Sequence, residues 1–263
     1  MKNKRIISTL CAFAVAMGIT AHAHAVSVIV NGEPLQAESV ARDGMTYTPL
    51  APLLASLGGW ATAWNGTGRF AVTETDLFTL HTPIGKDFVF VDGFLFGLNS
   101  ETFIENGRTY VPLRAVANLF GASVHFTDWD TPILVTVQPI TYTDEDLYWL
   151  SRVISAESQG ESLYGQIAVG NVVLNRVASA EFPDTIKSVI FDTNYAVQFE
   201  PTANGTIYND PTAQSLLAAR LVLGGTSAAG DCLYFFNPSL SEGKWIRENR
   251  TYFTTIGCHR FYR

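Results

Sequence analysis

Thr143-Asp144-Glu145-Asp146-Leu147-Tyr148-Trp149-Leu150-Ser151-Arg152-Val153-Ile154-Ser155-Ala156-Glu157-Ser158-Gln159-Gly160-Glu161 is where the chain changes character. Thr143 offers a hydroxyl at the N-cap and Asp146 an acid at N3. Asp144 and Glu145 lie between them, near the positive end of the helix dipole, so the start reads as a capping box. Leu147, Leu150 and Ile154 then recur at i, i+3 and i+7, a helical stripe. Three residues further the same stripe reaches Glu157. A helix is therefore expected to carry a carboxylate on its buried face.

Desolvation favours the protonated form of such a carboxylate and raises its pKa, which suits a general acid at neutral pH. A helix-end glutamate that accepts backbone N–H groups, or one that reaches solvent, explains the same pattern. Periodicity alone does not separate these readings.

Upstream, residues 26–138 read as short alternating strands, among them Val26-Ser27-Val28-Ile29-Val30, Phe88-Val89-Phe90-Val91 and Ile133-Leu134-Val135-Thr136-Val137. Asn31-Gly32, Asp92-Gly93 and Asn106-Gly107 supply hairpin turns. The segment repeats at a spacing of about 62. Gly44-Met45-Thr46-Tyr47-Thr48-Pro49-Leu50 aligns with Gly107-Arg108-Thr109-Tyr110-Val111-Pro112-Leu113, and each is followed by a short helix-like run. Trp64 and Phe126 are expected to begin the next strands. Trp60, Trp64 and Trp129 are either core or a sugar-binding face.

Downstream, Ser162 to about Ala178 forms a second helix, with Leu163, Ile167, Leu174 and Val177 on one stripe. Asp184 is expected to cap a short helix through Ile190. Asp210-Pro211 is expected to cap one ending at Gly224-Gly225. Cys232-Leu233-Tyr234-Phe235-Phe236 and the tail from Tyr252 to Tyr262 read as a small hairpin. The fold class is α+β, in two domains: a repeated hairpin and short-helix module, then a mainly helical domain with a small hairpin. The expected boundaries are 1–25 as signal peptide, 26–138, a linker at 139–142, and 143–263.

The N-terminus reads as an export signal, with a basic Met1 to Arg5, an apolar stretch from Ile6 to Ile19, and Ala21-His22-Ala23-His24-Ala25 for cleavage before Val26. Leu10 before Cys11 argues against a lipid anchor. A buried N-terminal helix is the alternative. The 263 residues carry 17 Lys+Arg and 24 Asp+Glu, a net charge of −7. Residues 1–25 hold Lys2, Lys4 and Arg5 and no acid, so the remainder has 14 basic against 24 acidic residues, or −10. That balance excludes nucleic acid as a partner, and a basic patch on an anionic membrane. No later apolar run is long enough for an integral membrane span, so a secreted, extracytoplasmic protein is expected.

Export also changes the meaning of Cys232 and Cys258. In an oxidising compartment they are expected to pair, closing about 27 residues, worth roughly 3.5 kcal/mol by loop entropy. Two reduced, buried thiols are the alternative.

Two resemblances follow from these letters. The repeat G-x-T-Y-[VT]-P-L, covering both units, resembles the N-terminal domain of copper amine oxidases, a small α+β module. No copper is implied, because His81 and His125 lack ligand spacing. The string Ile154 to Glu161, Gly165-Gln166-Ile167-Ala168-Val169-Gly170-Asn171-Val172-Val173-Leu174-Asn175-Arg176-Val177, Phe182-Pro183-Asp184-Thr185-Ile186, Gln198-Phe199-Glu200-Pro201, Leu233-Tyr234-Phe235-Phe236-Asn237-Pro238 and Lys244-Trp245-Ile246 resembles cell-wall hydrolases of the spore cortex-lytic enzyme (SleB) type. It runs from about Leu147 to the C-terminus.

That resemblance implies a lysozyme-like domain that cleaves peptidoglycan strands, at least in part as a lytic transglycosylase, in spore cortex lysis, germination, sporulation or wall turnover. It implies Glu157 as the catalytic residue, the first Glu of an A/G-E-x-x-G-E motif. It implies Glu161, Gln198, Phe199, Tyr234, Asn237 and Trp245 as substrate-binding or supporting residues. Ser155 departs from the family pattern, and the cysteine pair reads as a local staple. No cofactor or metal is implied, and a monomer is expected.

A lytic transglycosylase needs one placed acid, whereas a muramidase normally needs a second carboxylate, for which Glu161 and Glu200 are the nearby choices. A zinc amidase is poorly served by the single histidine of the second half, His259. A Cys/His peptidase would need Cys232 or Cys258 free beside His259. A non-enzymatic wall-binding protein is the remaining class.

Overall fold

The structure, a computed structural model, describes residues 24–128, 131–137, 142–194 and 197–263. The export signal falls almost wholly outside these residues, as do Trp129 and most of the expected linker.

The repeat organises the first half. In the central sheet the strands run Ser39–Arg42, Met45–Pro49, Arg108–Pro112, Phe103–Glu105 from one side to the other, with His24–Val26 beyond the first. The two repeat strands pair antiparallel with each other, Thr48 opposite Val111 and Tyr47 opposite Pro112. Each closes a hairpin with the strand before it, and at the second of these turns Asn106 and Gly107 both take positive φ (50° and 74°). That geometry is what Asn-Gly turns provide. Each repeat strand leads straight into a helix, α1 (Leu50–Gly58) and α2 (Leu113–Leu119). Their buried faces, Leu50, Leu53 and Leu54 and then Leu113, Val116 and Leu119, fill the core.

The strand expected to begin at Trp64 begins two residues earlier, Thr62–Asn65, and Phe126 lies just past Ala122–His125 instead of beginning a strand. Trp60 packs on Phe120 with ring centroids 5.0 Å apart, a core contact. Trp64 is 50% exposed.

In the second half, α3 (Asp144–Ser158), α4 (Leu163–Val177), α5 (Ile186–Ile190), α6 (Glu200–Asn204), α7 (Ala213–Leu223) and α8 (Lys244–Asn249) are helical. The capping box of α3 is formed: Asp146 N–H donates to Thr143 Oγ1 at 3.1 Å and Thr143 N–H to Asp146 Oδ2 at 2.9 Å. The cap of α7 is Thr212, whose hydroxyl accepts from Ser215 N–H, and not Asp210. Asp210 is instead drawn to Arg152 at 2.8 Å. Thr185, one residue past Asp184, likewise caps α5.

Helices α3, α4 and α7 pack together. A Cβ on Gly170 of α4 would lie 2.8 Å from Ile154 Cδ1 of α3 and 3.0 Å from Val222 Cγ2 of α7. Only glycine lets the three axes approach this closely. The expected hairpin is a three-stranded sheet, Tyr234–Phe236, His259–Tyr262, Tyr252–Ile256, with the final strand in the middle. The fold is thus α+β, with a β-rich first half and a mainly helical second half.

The halves share one hydrophobic core. Phe96 meets Tyr164 edge-on at 5.9 Å. Asn118 donates to Ser227 O at 2.6 Å and accepts from Ser227 N–H at 3.0 Å, while Thr226 Oγ1 donates to Leu119 O at 3.1 Å. A cavity of 670 Å³ lies along this junction.

Candidate active site

Glu157 sits in the last turn of α3, half-buried, at the wall of a 380 Å³ cleft. Arg152 and Ser155 from α3, Glu200 and Asn204 from α6, Asp210, and Leu240 from the loop before α8 line the same cleft. Arg152 is held by Asp210 and stacked on Tyr148, its guanidinium carbon 3.8 Å from the ring centroid. Ser155 accepts from Thr212 N–H at 3.2 Å, so the residue that departs from the family pattern ties α3 to the start of α7.

The Glu157 carboxyl is pushed up to about 7, first by burial and then by the negative charge of Glu200, against a lowering pull from Arg176. The C-terminal end of a helix dipole also disfavours an anion there. At neutral pH a large fraction of Glu157 is therefore a proton donor.

Arg176, in the last turn of α4, is 5% exposed. Its Nε donates to Leu233 O at 2.8 Å, and its guanidinium lies 4.9, 5.2 and 5.6 Å from the rings of Phe182, Phe199 and Tyr234. Burial lowers its pKa to about 10, so it stays charged at neutral pH.

Beyond Arg176 an aromatic surface begins. Tyr234 and Trp245 face each other at 5.7 Å, and Arg250 donates to Tyr234 Oη at 2.7 Å. Trp245 is 55% exposed.

The expected substrate residues divide. Tyr234 and Trp245 pack together and Asn237 is half-buried, but none of the three lines the cleft at Glu157. Gln198 stands half-buried in the segment leading into α6. Phe199 is 2% exposed, packed on Phe235 and under Arg176, so its ring belongs to the core. Glu161 does not line the cleft. Its carboxylate accepts from Cys258 N–H at 3.2 and 3.3 Å and lies 3.5 Å from His259 Nδ1, with both side chains buried. A Cβ on Gly257 would collide with it, so the turn is shaped around this carboxylate.

The expected disulfide is absent: both thiols are free, Cys232 buried and Cys258 exposed. The strand register explains why. Tyr234 pairs with Tyr262 and Ile256 with His259, so the cysteines lie at opposite ends of the middle strand. That is roughly 20 Å at about 3.3 Å per residue, whereas a disulfide needs Cα atoms within about 7 Å. Among the described residues no three His, Cys, Asp or Glu side chains gather as a metal site.

A family model described as Cell Wall Hydrolase matches residues 160–262, and one described as Copper amine oxidase N-terminal domain matches residues 29–134. Cell wall hydrolase CwlJ of Halalkalibacterium halodurans is 31% identical over 105 residues, 38% of this chain and 72% of that protein. The chain belongs to the cell wall hydrolase family. The spore cortex-lytic enzyme of Bacillus cereus is 37% identical over 123 residues, 47% of this chain and 46% of that protein. The chain thus spans about half the length of the first curated relatives it matches. The solved catalytic domain of the germination-specific lytic transglycosylase SleB from Bacillus anthracis is 36% identical at a TM-score of 0.43, covering 48% of this chain and all of that one.

The cell wall hydrolase match begins three residues after Glu157, so the geometry of the cleft must speak for that residue. Sequence reading did not single out Arg176, because a basic residue in the last helical turn is ordinarily a partner of the dipole. The Arg152–Asp210 pair escaped it too, since the partners are 58 positions apart.

Proposed function

We propose that this cell wall hydrolase family member degrades peptidoglycan, cleaving the glycosidic bond between N-acetylmuramic acid and N-acetylglucosamine as a lytic transglycosylase. The observation that carries the reading is Glu157, half-buried at the end of α3 in an open cleft with its pKa pushed up to about 7. Its carboxyl gives a proton to the glycosidic oxygen as the bond from that oxygen to the muramic acid anomeric carbon breaks. The muramic acid 6-hydroxyl then attacks that carbon and returns its proton to the Glu157 carboxylate. The products are a 1,6-anhydro end and a free N-acetylglucosamine 4-hydroxyl, and no water is consumed.

Tyr234 and Trp245 offer ring faces for sugars, and Asn237 a polar group for acetamido substituents. The spore cortex-lytic names of the relatives support cortex or wall as the substrate, and so an extracytoplasmic site of action. Among the described residues no helix is long and apolar enough to cross a membrane.

Glu200 favours a second reading. It lies in the same cleft and acts electrostatically on Glu157, so it is the carboxylate available to activate water in a muramidase. Mass spectrometry of muropeptides released from purified peptidoglycan separates the two. Anhydro ends support the transglycosylase and reducing ends the muramidase. Release by Glu157→Gln equal to that of the parent would sink both.

A further inference from the structure

The repeat of the first half builds the same hollow twice. One groove, of 370 Å³, is lined by Pro49 and Leu50, where the first repeat strand enters α1, and by Gly107 and Thr109 of the second repeat. The 670 Å³ cavity at the junction is lined by Pro112 and Leu113, where the second strand enters α2, and by Gly44 and Thr46 of the first repeat. These are the same motif positions exchanged, as the antiparallel pairing of the two strands requires. Ala71 in one groove corresponds to Ile133 in the other, and Trp64 to Phe126, at the repeat spacing of about 62.

Both aromatics are open, Trp64 being 50% and Phe126 40% exposed. Trp64 stands opposite buried Ala71 in the strand register, so its ring lies on the inward face of its sheet. A core normally fills the space beside such a ring, because protein interiors are close-packed. Here the space is a groove, and an indole left in water costs free energy that a bound ligand recovers. Each groove has one charged lining residue, Arg108 or Arg114, and among the described residues no acid lines either. In a chain of 24 Asp+Glu and 17 Lys+Arg, both hollows are therefore free of the prevailing charge. Tyr164 and Ser227 of the second half also line the Phe126 cavity, whereas residues 49–109 alone form the Trp64 groove.

Two equivalent hollows, each with an aromatic ring, a threonine and one basic residue, suit a repeating polymer of acetylated sugars that carries peptide carboxylates. We propose that the grooves at Trp64 and Phe126 bind the glycan strands of peptidoglycan and hold the chain on its insoluble substrate, apart from the cleft at Glu157. The choice of ligand rests on the function proposed above.

The test is co-sedimentation of the full chain carrying Glu157→Gln, which leaves the wall intact, with purified insoluble peptidoglycan. Adding Trp64→Ala is expected to weaken binding about 5- to 20-fold. Adding Phe126→Ala as well is expected to weaken it about 50-fold or more, because two contacts on one polymer reinforce each other. Trp64→Phe keeps a ring and is expected to retain most of the affinity. Circular dichroism and melting temperature report folding. Where Trp64→Ala or Phe126→Ala unfolds, Trp64→Thr, which keeps a strand-forming residue at the sheet edge, gives the comparison. Folded Trp64 variants that bind as tightly as Glu157→Gln alone would overturn the proposal. So would a dimer that Trp64→Ala turns into a monomer in sedimentation velocity, since the groove would then take a second copy of the chain. A parent protein that sediments with the wall through Trp64 but releases no muropeptides would instead overturn the reading of Glu157 and leave the grooves as wall-binding sites.

Discussion

Glu157 and Glu161 are four residues apart in one motif, and the fold puts them to opposite uses. Around Glu157 the protein leaves a cleft open, brings a second acid near and, among the described residues, gives the carboxylate no backbone donor. Around Glu161 it closes in, with the Cys258 amide donating to the carboxylate, the His259 ring 3.5 Å away and the Gly257 turn wrapped over it. A carboxylate satisfied by protein donors is fixed and structural, whereas one that is desolvated and left unsatisfied keeps its proton and can deliver it. Residue type and motif are shared, so the difference lies in what the tertiary structure sets against each.

Breaking this contrast gives the largest effects. Glu157→Gln is expected to lower muropeptide release by about a thousandfold or more, with far-UV circular dichroism unchanged. Glu161→Ala is expected to do the reverse. It leaves the Cys258 amide contact unmade, lowers unfolding free energy by about 1–3 kcal/mol in a denaturant titration, and spares most activity per folded molecule.

The pH dependence sharpens the contrast. With Glu157 needed as an acid and its pKa near 7, kcat/KM should be flat just below pH 7 and fall about tenfold per pH unit well above it. The same shift sets a linkage. The folded pKa lies above the unfolded value of 4.5, so the stability from neutral Glu157 is full below pH 4.5 and lost as pH rises through 7. Glu157→Gln does not lose it, so its advantage over the parent should grow between pH 4.5 and 7 and then level off, at about 1–3 kcal/mol. Melting temperatures of the two proteins across that range check the sign.

The smallest effect concerns the turn. Exposed Cys258 should react with a thiol reagent in the native protein while buried Cys232 reacts only after unfolding. Glu161→Gln should speed the first reaction, because the Glu161 charge is what raises the Cys258 thiol pKa.

Much of the fold was legible before any coordinates. The Asn-Gly turns, the repeat, the capping box of α3 and the stripe through Leu147, Leu150 and Ile154 are set by neighbours within a few residues, and each appears as read. The third strand of the small sheet, the true cap of α7 and the free state of the cysteines were not legible. Each depends on a partner far along the chain. Thr212 caps α7 while Asp210, two residues earlier, pairs with Arg152, and Cys232 cannot reach Cys258 because they lie at opposite ends of the last strand.

The site divides along the same line. Helical periodicity by itself put Glu157 on a buried stripe, since a 3.6-residue repeat determines which side chains share a face. Only the tertiary structure decided that Glu157 meets a cleft and Glu161 a turn, and that Phe199 is core. Burial and electrostatic environment are set by which elements pack together, and those contacts are made across tens of residues of chain.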